Sequence, residues 1–129
     1  MKFAEFIPFI AAAFMAGVPA YAHHSFAATY FEDQTVRIEG KLVDLDFRSP
    51  HSLVTVEVPD DQGKVNSWVA EWRSGTRLTR DGLSKDSFRP GDHVIITGSP
   101  WRTSGEHKIH LKIIDRPSDG FKWSGSDRR

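Results

Sequence analysis

Three histidines carry the most distinctive chemistry in this sequence. His23 and His24 follow Ala20-Tyr21-Ala22, a small-x-small pattern of the kind at which a secretion signal is cut, so cleavage after Ala22 would leave His23 as the first residue. A terminal histidine offers one ion both an α-amine and a ring nitrogen as a chelate. Such an amine titrates at about 7.7–8.0, so a metal can displace its proton near neutrality. His51, directly after Ser49-Pro50, supplies a third imidazole from a loop that proline stiffens. Nitrogen-rich donor sets favour Cu(II) in the affinity order of divalent ions, so copper is the first cofactor to test at His23, His24 and His51, with another divalent metal as the alternative.

A second constellation is aromatic. Trp68, Trp72 and Trp101 lie near Arg73, Arg77 and Arg102 in sequence, and on a barrel face such residues can stack a planar ligand or sugar while the arginines pair with carboxylate or phosphate. Ligand binding through Trp68, Trp72, Arg73 and Trp101 is therefore the alternative, metal-free expectation. A small barrel also needs large side chains to fill it, so at least two of these tryptophans are expected in the core. His93, His107 and His110 are read as ordinary surface or boundary residues. No catalytic grouping emerges. Asp44 and Asp46 alternate with Val43, Leu45 and Phe47 and are expected to face solvent, while Glu57 and Glu71 have no evident partner. Ser25 and Ser52 each adjoin a histidine, but neighbours on a strand point apart.

Composition narrows the field further. The chain has 129 residues, 17 Lys+Arg against 17 Asp+Glu, and no cysteine. Neutrality removes the basic surplus that draws proteins to nucleic acid or anionic lipid, and the lack of thiols excludes disulfides, thiolate metal sites and a cysteine nucleophile. Residues 1–22 read as a signal peptide, with Lys2 in the charged start and an apolar run from Phe6 to Val18 that Pro8 interrupts. That run is shorter than the ~20 residues a membrane span requires, so no stable membrane insertion is expected after cleavage. A soluble periplasmic protein is the expected product, with a small molecule or another periplasmic protein as partner.

These side chains must be positioned by strands. Apolar and polar residues alternate at period two through most of residues 36–123. Val36, Ile38, Gly40 and Leu42 share a face, and the pattern then slips by one to Val43, Leu45 and Phe47, which calls for a bulge next to Gly40. Further strands are expected around Val54–Val58, Val65–Trp72, Val94–Ile96 and Lys108–Ile113. A short helix is expected between Gly75 and Leu83, stopped near Gly82. Five strands, a bent first strand and one helix between strands three and four match the all-β Greek-key barrel of the oligonucleotide- and oligosaccharide-binding type. The domain plan is thus a signal peptide (1–22), an extended N-terminal segment (23–35), the barrel (36–123) and a disordered tail (124–129).

Geometry tests the metal idea. Strand one would run roughly 40 Å at ~3.3 Å per residue, so His51 lies far from residue 36. Residues 23–35 can return that distance only by running nearly extended beside the barrel, with Phe26, Ala28 and Tyr30 on one face.

The segments His23-His24-Ser25-Phe26, Pro50-His51 and Ser84-Lys85-Asp86-Ser87-Phe88-Arg89-Pro90-Gly91-Asp92 resemble a family of small exported bacterial proteins, catalogued as domain of unknown function 6152. The resemblance covers nearly all of residues 23–129. The family usually has Asn before the Pro-His pair and a glycine-rich turn with proline after strand three, where this chain has Ser49 and Trp72-Arg73-Ser74-Gly75. It implies export and a small barrel-like fold, places the three histidines in a family pattern, and assigns no activity. The combined expectation is a non-catalytic binding or accessory module.

Overall fold

The computed structural model describes residues 26–125. Its framework is a closed five-stranded barrel. Strand β1 (Val36–Asp46) pairs antiparallel with both β2 (Leu53–Pro59) and β4 (His93–Pro100). Strand β3 (Val65–Glu71) pairs with β2, and β5 (Lys108–Arg116) pairs with β4. Closure comes from a short parallel contact between β3 and β5, in which Val69, Ala70 and Glu71 face Lys108, Ile109 and His110. A sixth strand, β6 (Phe121–Ser124), pairs with β5 at Ile113–Arg116, taking over the edge that β3 leaves. This strand is additional to the five that the alternation predicts, and its last residue, Ser124, is the first of the expected tail. Phe121 and Trp123 do alternate with Lys122 and Ser124, but four residues after a turn are too few for the pattern to declare itself.

The bent first strand has a steric cause. A Cβ on Gly40 would lie 2.0 Å from the carbonyl oxygen of Glu57, so only glycine lets β1 cross β2 this closely. The register slips between Leu42 and Asp44, as the hydrophobic pattern required. Val43 is the extra residue, and it faces outward, 40% exposed, instead of joining Leu45 and Phe47 against the core. A bulged residue has no cross-strand partner and is turned off the pleat, which explains the difference. Gly98 does the same service in β4, where a Cβ would lie 1.8 Å from the carbonyl oxygen of His110 beside a second register slip.

Inward residues Ile38, Leu42, Val54, Val56, Ile96 and Ile109 fill the barrel. Helix α2 (Gly75–Arg80) closes one end. Ser74 caps it by accepting from the amide of Arg77, Leu78 is fully buried, and Gly82 at φ +90° turns the chain out of the helix.

The amino-terminal segment departs from the extended path expected of it. Phe26–Thr29 forms a helical turn, α1, with the amide of Tyr30 donating to the carbonyl of Phe26 at 2.7 Å. Ala27 and Ala28 favour helix, and the turn places Phe26 and Tyr30, four apart, on one side. Beyond it the chain docks on the end of β4. Phe31 donates its amide to Pro100, Arg102 donates its amide to Thr29, and Tyr30 forms an isolated bridge with Trp101. Among the described residues no helix is long and apolar enough to cross a membrane.

Candidate functional site

The site is assembled at the end of the barrel where β3 meets β5. The β1–β2 loop is tied down by Ser52, which is fully buried; its Oγ donates to the carbonyl of Arg48 at 3.1 Å and accepts from the same residue's amide at 3.2 Å. The backbone of Ser52 also bonds on both sides, to the carbonyl of Arg73 and from the amide of Trp72. The Ser49–Pro50 peptide is cis. The bonds of Ser52 hold the neighbouring His51 over the last residue of β3, Glu71.

Glu71 joins two parts of the molecule. One carboxylate oxygen accepts from Nδ1 of His51 at 2.6 Å and the other from the Tyr30 hydroxyl at 2.6 Å. Tyr30 is 1% exposed, and burial, reinforced by its bond to the Glu71 carboxylate, raises its phenol far above the ordinary range. Tyr30 also meets the ring of Trp101 edge-on at 5.2 Å.

A matching pair lies beside it. His110, the register neighbour of Glu71 across the barrel closure, presents Nδ1 to Glu32 at 2.8 Å. The second oxygen of Glu32 takes Nζ of Lys112 at 2.9 Å. Burial works to raise the Glu32 carboxyl, but hydrogen bonds from Lys112 and His110 outweigh it and hold that group below the usual range. For His110 burial dominates and depresses the imidazole pKa despite the attraction of Glu32, which favours the neutral ring. Phe26 ties the pairs together. Its ring stacks on His110 at 3.7 Å with the planes 2° apart, and it touches His51 at 4.7 Å.

The expected site residues fare differently. His51 lies in this cluster. His23 and His24 lie outside the described residues, two and three positions before Phe26. Among the described residues no group of three His, Asp or Glu side chains is arranged to hold a metal ion. Of the histidines taken for ordinary ones, His93 is an exposed partner of Glu39 and His107 stacks on Trp68, whereas His110 belongs to the cluster. Its role was hidden because β3 and β5 are far apart in sequence and the parallel contact that joins them is only three residue pairs long. The same is true of Glu71, which reaches His51 across a strand pair.

The aromatic constellation does not share one open face. Trp72 is fully buried and packs edge-on against Trp123 and Phe88, so it offers no surface to a ligand; its place is in the core. Arg73 lies over the Trp123 ring and pairs with Asp81. Trp101 is covered by Lys108, whose Nζ sits 4.5 Å from the ring centre, and by Tyr30. Asp44 is exposed and Asp46 pairs with Arg48, in keeping with solvent-facing positions.

The sequence matches the family of unknown function DUF6152 over residues 12–110, and the chain belongs to that family. No curated protein matches it.

Proposed function

With membership of DUF6152 as the starting point, we propose that this protein is an exported periplasmic binding module, without catalysis of its own, that takes Cu(II) through His23, His24 and His51. The reading is carried by one observation, the contact of Phe26 with the ring of His51 at 4.7 Å. Three residues of chain span up to about 10 Å, so the length of chain before Phe26 is compatible with an amine at His23 approaching the His51 imidazole. The long return that the metal idea demanded is made by the docked segment from Tyr30 onward.

Chemistry supports the same reading. Glu71 engages Nδ1 of His51, which leaves Nε2 to face an ion, and a carboxylate on the far nitrogen is the usual partner of a metal-binding imidazole. Amine and imidazole nitrogens together suit Cu(II). The metal-free alternative through Trp68, Trp72, Arg73 and Trp101 has weaker support, since Trp72 is enclosed and the half-buried Trp101 already carries the Lys108 ammonium over its ring.

The test is titration with Cu(II) of the exported protein, its first residue established by mass. Micromolar or tighter binding is expected, weakened at least tenfold in His51→Ala and again when one extra residue precedes His23. Affinity unchanged in both variants would refute the proposal. Tryptophan fluorescence that responds to sugars or anions, and not to copper, would favour the alternative.

A further inference from the structure

Lys41 stands in the middle of a row of three strands. Its register partners are Glu57 on β2 and His93 on β4, and Glu39 shares its face of β1 two residues away. All four side chains are exposed. Glu39 is already engaged, by Nε2 of His93 at 2.9 Å and by Nη1 of Arg37 at 3.3 Å. Opposite charges directly across an antiparallel pair ordinarily attract. Yet among the described residues neither the Lys41 ammonium nor the Glu57 carboxylate has an ion-pair or hydrogen-bond partner. Together with Gly40, Pro59 and Val65 these groups line an open cleft of about 600 Å³, within the roughly 300–1,000 Å³ of sites for small organic ligands. Pro59 and Val65 are register partners, and Val65 is 56% exposed, so an apolar patch adjoins an unpaired cation and an unpaired anion.

Charge complementarity selects the occupant. A simple anion on Lys41 would be repelled by Glu57, and a simple cation on Glu57 would be repelled by Lys41. A molecule that carries both charges a few ångströms apart satisfies the two groups at once. We propose that the cleft binds a small zwitterion with an apolar side chain, the chemistry shared by a free amino acid and a short peptide. Glu57 takes the ammonium, Lys41 the carboxylate, and Pro59 with Val65 the side chain. His93 and Arg37 hold Glu39, so that it does not neutralise Lys41. The cleft shares no residue with the cluster around His51 and Glu71, and the assignment does not depend on copper.

The experiment is calorimetric titration of the exported protein with leucine, leucyl-leucine, N-acetylleucine, which lacks the ammonium, and leucinamide, which lacks the carboxylate. Leucine or leucyl-leucine is expected to bind with a Kd of about 1 mM or tighter, and the tighter of the two fixes the length of the ligand. N-acetylleucine and leucinamide are expected to bind at least roughly tenfold more weakly, the loss that follows when a charge-assisted bond is not made. In Glu57→Gln the preference for leucine over N-acetylleucine should disappear, and in Lys41→Met the preference for leucine over leucinamide. Both positions are exposed, so both variants should keep the circular dichroism of the parent. Failure of leucine and leucyl-leucine to saturate the protein by about 10 mM overturns the proposal. Binding that neither variant weakens overturns it too, because the ligand would then sit elsewhere.

Discussion

Nδ1 of His51 lies 2.6 Å from Oε1 of Glu71, and this contact joins a loop to the last residue of a strand that begins well after it. Glu71 has a second task. Its other oxygen accepts from Tyr30, so one carboxylate fastens the β1–β2 loop and the amino-terminal segment to the same point of the barrel.

Tyr30→Phe removes the hydroxyl while keeping the ring. The lost bond to a carboxylate is expected to lower stability by about 1.5–3 kcal/mol, the range for hydrogen bonds to charged groups. Urea unfolding at neutral pH measures it. A midpoint equal to wild type would show that the hydroxyl contributes nothing.

Acidification should weaken the metal-free fold in two stages. His110 has a depressed pKa in the folded state, so below its ordinary value of 6.5 the unfolded chain takes up a proton that the folded protein resists, and stability falls as pH drops from there toward the folded value. Glu32 has a lowered pKa too, and its contribution, present above its ordinary 4.5, is lost as pH falls through the folded value. Lys112 and Glu71 are the other charged groups acting on His110. Unfolding midpoints in a chelating buffer from pH 8 down to about pH 2 should show both declines, and His110→Gln should lack the first. A flat profile across the first window in wild type would contradict the burial of His110.

Glycines at two positions should differ in kind. Gly40→Ala places a methyl group 2.0 Å from a backbone oxygen and is expected to cost about 3 kcal/mol or more, the upper end of overpacking. Gly63→Ala meets open space but keeps φ near +80°, and is expected to cost only about 1–2 kcal/mol. Thermal unfolding of the two variants gives the order; equal losses would remove the close crossing as the reason for Gly40.

Trp72→Ala should behave as a core truncation. Loss of a fully buried indole is expected to cost about 3–5 kcal/mol, read by denaturant unfolding. A loss below about 1 kcal/mol would show that the ring is not the packing element its contacts with Trp123 and Phe88 indicate.

Local pattern carried the architecture. Period-two alternation, the slip after Gly40 and the helix signals around Ser74–Gly82 are effects of neighbours on one another, and each appears in the structure at or next to its expected place. Val43 shows the limit of such reading. The alternation reports that a residue has been inserted, but which one turns outward depends on the partner strand.

The sequence by itself determined that this chain forms a barrel of short strands, and which residue types were available for nitrogen-donor chemistry at positions 23 and 24 and in its first long loop. Only the tertiary structure decided which of them meet. Three residue pairs of parallel contact bring β5 beside β3 and set His110 next to Glu71, and a helical turn lays Phe26 on both histidines. The physical reason is distance along the chain: periodicity fixes the face on which a side chain stands, whereas the partner across a barrel closure is fixed by how the whole core packs.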